Sequence, residues 1–184
     1  MALILALTRS LVGTVIAGTV FAVHPLHTEA VANIVGRAEL MSALFGLSML
    51  YAYHLAAQKS GRPRWLLSGL VLVAYFLAMI SKENAITLLA VPVLYELLVY
   101  PGFRKSREPL VPLRGVVTIV GLIAVTAAYL VIRMRILGTF TVPNIQYIDN
   151  PMIGLSVPLR LASAMCVFGQ YMLLSLVPLN LSCD

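Results

Sequence analysis

Residues 65–100 read WLLSGLVLVAYFLAMISKENAITLLAVPVLYELLVY, two apolar arms of 16 residues around the polar break Ser81-Lys82-Glu83-Asn84. As one continuous helix, 36 residues at 1.5 Å each would extend about 54 Å, against a hydrocarbon core of roughly 30 Å. The break is therefore a tight reversal between two antiparallel spans. Each arm is slightly short for a full crossing, which predicts a reversal below the membrane surface.

The rest of the chain agrees. Of its 184 residues, 60% are hydrophobic and 11% charged, and the mean hydropathy is +0.95. A soluble domain carries about 25% charged residues, so a water-soluble globule, a nucleic-acid binder and a disordered tail are disfavoured together. Two cysteines, Cys166 and Cys183, make no disulfide framework. The expected fold class is all-α, a polytopic transmembrane helix bundle in one domain, 1–184. Six spans are predicted near residues 3–23, 40–57, 65–80, 85–100, 115–132 and 161–179. The first competes with a signal peptide, but Arg9 lies mid-segment and the run ends in His24-Pro25 without a small-residue cleavage pattern. No heptad run or internal repeat is present.

Charge placement predicts the orientation. Thirteen Lys and Arg oppose seven Asp and Glu, and seven of the thirteen (Lys59, Arg62, Arg64, Arg104, Lys105, Arg107 and Arg114) fall in two links on one side. That side reads as cytosolic. His24–Glu39, Ser81–Asn84 and the connection from Gly138 to Pro158 then face outward.

The polar groups of the outward side are the candidate site. In His24-Pro25-Leu26-His27-Thr28-Glu29, Pro25 suits a first helical turn, and Glu29, Asn33 and Arg37 recur every four residues on one face. His24, His27 and Glu29 have metal-ligand chemistry but lack a fourth ligand. A capped interfacial helix with internal ion pairs explains them without metal, and no metal is assigned. Glu39 opens the next span, either as a carboxylate facing a wet cavity or as a solvated helix start. Lys82 and Glu83 read as an anion-binding lysine steadied by a carboxylate, or as a turn resting in headgroups. Arg133 and Arg135 end the fifth span where positive charge is disfavoured, and read as a phosphate grip or as snorkelling side chains. Asp149 caps a turn before Asn150-Pro151 or touches substrate. Asn180-Leu181-Ser182 matches a glycosylation acceptor but falls on the cytosolic side in this topology.

HPLHTEAVANIVGRAEL at 24–40, SKEN at 81–84, and IDNPMIGL at 148–155 with VPLNLSCD at 177–184 together resemble the transmembrane and tetratricopeptide-repeat-containing family of O-mannosyltransferases. Residues 114–184 resemble that family's domain of formerly unknown function. The resemblance implies a C-type glycosyltransferase fold and a multi-pass protein of the endoplasmic reticulum. It implies transfer of mannose from dolichyl-phosphate mannose to Ser or Thr of acceptor proteins, cadherin-like by family, with membrane lipids as surroundings and no nucleic acid. The resemblance leaves divalent metal dependence open. The family's acidic catalytic loop is expected upstream of Met1 and its repeats beyond Asp184. The chain alone is thus expected to lack its general base, and Lys82, Arg133, Arg135 and Arg37 are the candidates for the lipid phosphate. A transporter or channel subunit, or a non-catalytic membrane scaffold, are the competing readings.

Overall fold

The computed structural model describes residues 1–25, 31, 33, 36–99, 113–138 and 155–177. Among these, four helices are long and apolar enough to cross a membrane: Gly36–Gln58, Arg62–Ser81, Gly115–Leu137 and Val157–Leu176. In chain order the helices are α1 (Ala2–Thr8), α2 (Leu11–Val23), α3 (Gly36–Gln58), α4 (Arg62–Ser81), α5 (Ala90–Leu94), α6 (Leu113–Leu137) and α7 (Val157–Leu176).

Two predicted spans are interrupted. The first, 3–23, breaks into α1 and α2 at Arg9, which adopts a left-handed conformation (φ 54°, ψ 20°). Ser10 then caps α2 by accepting a hydrogen bond from the Gly13 amide at 3.1 Å. A non-glycine residue with positive φ ends a helix, because its Cβ crowds the following carbonyl. The fourth, 85–100, is a composite of 3₁₀ turns at Glu83–Leu89, the single α-turn of α5, and a π-helical turn at Tyr95–Val99. Pro92 lies inside α5; it has no N–H, and its ring clashes with the carbonyl four residues back, so a regular ladder cannot run through it.

The composite geometry answers the shortness of that arm. A 3₁₀ residue rises about 2.0 Å against 1.5 Å in an α-helix, so the seven residues Glu83–Leu89 gain about 3.5 Å of length. At the other end of the chain, Pro158 falls in the first turn of α7, where its fixed φ suits a helix. The helix here runs Val157–Leu176, starting four residues before the predicted span of 161–179.

α3 and α4 pack antiparallel in the most extensive interface, with α4, the 83–99 segment and α6 completing the bundle. Met49, Ala52, Tyr53, Val71, Ala74, Tyr75, Ala78 and Leu122 form its centre. Small residues on both α3 and α4 let the backbones approach, the usual basis of helix association in lipid. Gly46 of α3 does the same toward the 83–99 segment, since a Cβ there would sit 2.8 Å from the Leu88 side chain.

Burial is inverted relative to a soluble protein. Leu98, Ile136 and Leu176 are about three-quarters exposed, whereas His54, Glu96, Thr118 and Thr126 are buried. Such an apolar exterior is stable only in hydrocarbon, and the polar groups turn inward to find partners. The chain is a helical, multi-pass membrane protein.

Candidate functional site

The polar residues cluster at two opposite ends of the bundle. At the first, Lys82 pairs with Glu39 and Arg133 pairs with Glu83. Three parts of the chain supply them: Glu39 in the first turns of α3, Lys82 and Glu83 where α4 gives way to the 3₁₀ stretch that Glu83 opens, and Arg133 near the end of α6. Lys82 is extended (φ −152°, ψ 128°), and this non-helical residue reverses the chain. Four candidates separated by up to 94 positions thus come together, the span from Glu39 to Arg133. They alternate in sign, Glu39⁻, Lys82⁺, Glu83⁻, Arg133⁺, and all four are at least partly exposed.

The pairing differs from the expectation that Glu83 steadies Lys82. Adjacent residues diverge in direction, so Lys82 turns to α3 while Glu83 turns to α6. Arg133 also donates to the Tyr129 hydroxyl at 3.2 Å, one helical turn away. Arg135, two residues on, lies about 200° around the helix from Arg133 at 100° per residue, and it is exposed. The two arginines therefore do not act as one grip. Arg37 is exposed and has no ion-pair partner among the described residues. His24 follows α2 in an extended conformation and is half-buried. His27, Glu29 and Asp149 lie outside the described residues. No group of three or more metal-ligating side chains occurs among the described residues.

Just below this end, within the bundle, the Tyr75 hydroxyl meets the Thr126 hydroxyl at 2.9 Å and donates to the Ile86 carbonyl at 3.3 Å. One side chain of α4 thereby ties α6 to the 3₁₀ stretch that carries Glu83. That carbonyl is a natural target, because 3₁₀ geometry is poorer than α and leaves its acceptors less well satisfied.

The second cluster lies at the opposite end and is buried. The Tyr53 hydroxyl donates to Glu96 Oε1 at 2.7 Å, and His54 Nδ1 shares a 2.6 Å hydrogen bond with the Tyr95 hydroxyl. Gln58 Nε2 and His54 Nε2 are 2.7 Å apart. The Tyr95 ring stands edge-on to both Tyr53 and His54, with centroids 5.4 Å and 5.7 Å away. Gly115 of α6 closes the site, for a Cβ there would lie 2.7 Å from Glu96 Oε1. Arg64, counted in sequence among the link charges, is buried in the first turn of α4 and donates to the Ala56 carbonyl at 3.2 Å. It satisfies one of the last carbonyls of α3, a place that favours a cation.

Sequence reasoning missed this cluster. The available signal was a single ionisable residue inside each of two apolar spans, His54 in 40–57 and Glu96 in 85–100. Such residues face the bundle interior and are functional candidates by default.

No protein-family model matches the chain. No solved structure matches it either. Curated proteins do. Human protein O-mannosyl-transferase TMTC3 is 29% identical over 93% of the chain, which covers 20% of that protein. Human protein O-mannosyl-transferase TMTC4 is 35% identical over 75% of the chain and 21% of its own length. Protein O-mannosyl-transferase Tmtc2 of Drosophila melanogaster is 39% identical over 53% of the chain and 11% of its own length. The chain thus spans about a fifth of the length of the two human relatives. These relatives agree with the resemblance carried by residues 24–40 and 81–84, and the chain is similar to part of the TMTC protein O-mannosyl-transferases.

Proposed function

We propose that this chain forms membrane-embedded donor-side structure of a protein O-mannosyltransferase. In this reading the full protein moves mannose from dolichyl-phosphate mannose to Ser or Thr hydroxyls of acceptor proteins in the lumen of the endoplasmic reticulum. Cadherin-like acceptors are the class expected from the resemblance. The end bearing Glu39, Lys82, Glu83 and Arg133 faces the lumen, and the links rich in Lys and Arg face the cytosol.

The reaction breaks the bond between the mannosyl carbon and the phosphate oxygen while an acceptor hydroxyl attacks that carbon. The departing phosphate gains negative charge, and donors already aimed at it lower the barrier. Lys82 and Arg133 suit that task. Lysine has three N–H donors and arginine five. Glu39 engages Lys82, while Glu83 and Tyr129 engage Arg133, so both cations keep donors to spare. Their carboxylate partners hold them in place at the membrane boundary, where an unpaired cation would snorkel away. A base for the acceptor proton is assigned to the remainder of the protein.

The supporting observation is the convergence of Lys82 and Arg133, from distant points in the sequence, on one partly exposed end of the bundle. The test is donor binding and radiolabelled mannose transfer to a Ser/Thr peptide by the full-length protein. Arg133→Ala and Lys82→Ala should each weaken donor binding about tenfold or more, the worth of one charge-assisted contact. Undiminished donor affinity in both variants would overturn the assignment.

A further inference from the structure

The segment from Glu83 to Val99 is held at both ends and irregular between them. Its first seven residues are 3₁₀, a longer run than the usual three or four. Pro92 removes a backbone hydrogen bond in the middle, and the last five residues form a π turn. A segment of this kind has a regular α-helix as its nearby alternative. Rewinding Glu83–Leu89 from about 3.0 to 3.6 residues per turn would shorten it by roughly 3.5 Å and rotate one end against the other by roughly 140°. Lys82 and Glu83 sit at the end that would move.

What opposes rewinding is the far end. Tyr95 and Glu96 are consecutive, and so are their partners His54 and Tyr53 on α3. A π turn has more residues per turn than an α-helix, so neighbouring side chains diverge less. Both can then reach the same two residues of α3. The hydrogen bonds are buried, where low dielectric strengthens them. Gly115 leaves room for the Glu96 carboxylate against α6. Changing the pitch of the segment would pull Tyr95 and Glu96 out of this register.

We infer that the buried cluster of Tyr53, His54, Tyr95 and Glu96 is a positioning site. It holds the 83–99 segment in the pitch and rotation that point Lys82 to Glu39 and Glu83 to Arg133 at the opposite end of the bundle. The functional consequence rests on the proposed phosphate role of Lys82 and Arg133. The geometric consequence does not.

Two measurements on the full-length protein separate them. The first is affinity for dolichyl-phosphate mannose per folded molecule. The second is disulfide formation between Gly46→Cys and Leu88→Cys, with Cys166→Ser and Cys183→Ser in the background, because Leu88 lies against Gly46 in the present register and rewinding would carry it away. Tyr53→Phe keeps the ring and deletes the donor to Glu96; Tyr95→Phe keeps the ring and removes the hydroxyl that shares a hydrogen bond with His54, and serves if the first variant does not fold. Either should weaken donor binding about tenfold, the equivalent of one buried hydrogen bond to a charged or strongly polar partner, and reduce the 46–88 cross-link. Glu96→Gln still accepts from Tyr53 and should retain both. A purely structural role would lower the yield of folded protein and leave affinity and cross-link of the folded fraction unchanged; that result overturns the inference. If Tyr53→Phe keeps both readouts while Arg133→Ala loses the donor, the inference fails and the phosphate reading stands. If Arg133→Ala keeps the donor but Tyr53→Phe loses the cross-link, the phosphate reading fails and the positioning stands.

Discussion

Replacing Gly115 by alanine tests the buried cluster with a single methyl group. The position lies in the first turns of α6, where alanine is intrinsically better than glycine by up to about 1 kcal/mol. On propensity alone the variant would be stabilised. The new Cβ, however, would stand 2.7 Å from Glu96 Oε1, 3.1 Å from its carboxyl carbon and 3.4 Å from the Tyr53 hydroxyl. The glutamate must withdraw, and the 2.7 Å bond from Tyr53 is the interaction it gives up. Breaking it leaves a buried donor and acceptor unsatisfied, which costs about 1–3 kcal/mol. Set against a propensity gain of up to about 1 kcal/mol, the balance is a net loss of up to about 2 kcal/mol, opposite in sign to the propensity effect. Thermal unfolding of the purified full-length protein in detergent reads that sign directly. In a Tyr53→Phe background the same substitution should cost less, because the bond it breaks is already gone. A stabilised Gly115→Ala protein, or an equal cost in both backgrounds, would refute this account of the cluster.

The charged end makes its own predictions. Glu39→Lys places two cations together and should lower the thermal unfolding temperature; adding Lys82→Glu restores the pair and should recover about 0.5–1 kcal/mol of stability in a double-mutant cycle, though not donor binding, which needs the cation at 82. Arg135→Ala should leave donor affinity within experimental error of the parent while Arg133→Ala does not, because the two side chains leave α6 on opposite sides; equal losses would contradict that placement. Tyr75→Phe should cost about 1 kcal/mol in thermal unfolding, since its hydroxyl joins Thr126 and the Ile86 carbonyl; no change would mean that these bonds add nothing to the bundle.

Much of the architecture was legible in the order of residues. Apolar runs bounded by charges locate α3, α4 and α6 to within a few positions, and a polar break too short to span anything forces the reversal at 81–84. Those features are local. Hydrocarbon thickness and helix rise convert run length directly into a crossing, so no knowledge of neighbours is needed. Interruptions were less visible. Arg9 is a charge in an apolar run, and only its left-handed conformation makes it a break. Pro92 sits in an apolar arm, and the change from 3₁₀ to π around it depends on how both ends are held.

The sequence by itself determined that this protein lives in a membrane, roughly where its helices lie, and which residue types gather near the 24–40 and 81–84 stretches. Partner choice was decided only by tertiary structure. That Lys82 turns to Glu39 rather than to its neighbour, that Arg133 and Arg135 part company, and that Tyr53 finds Glu96 at a separation of 43 residues all follow from helix rotation and depth. A run of apolar residues specifies that a helix will cross, because transfer into hydrocarbon depends on composition. It does not specify which face meets which neighbour, because that depends on small residues and hydrogen bonds contributed by other helices.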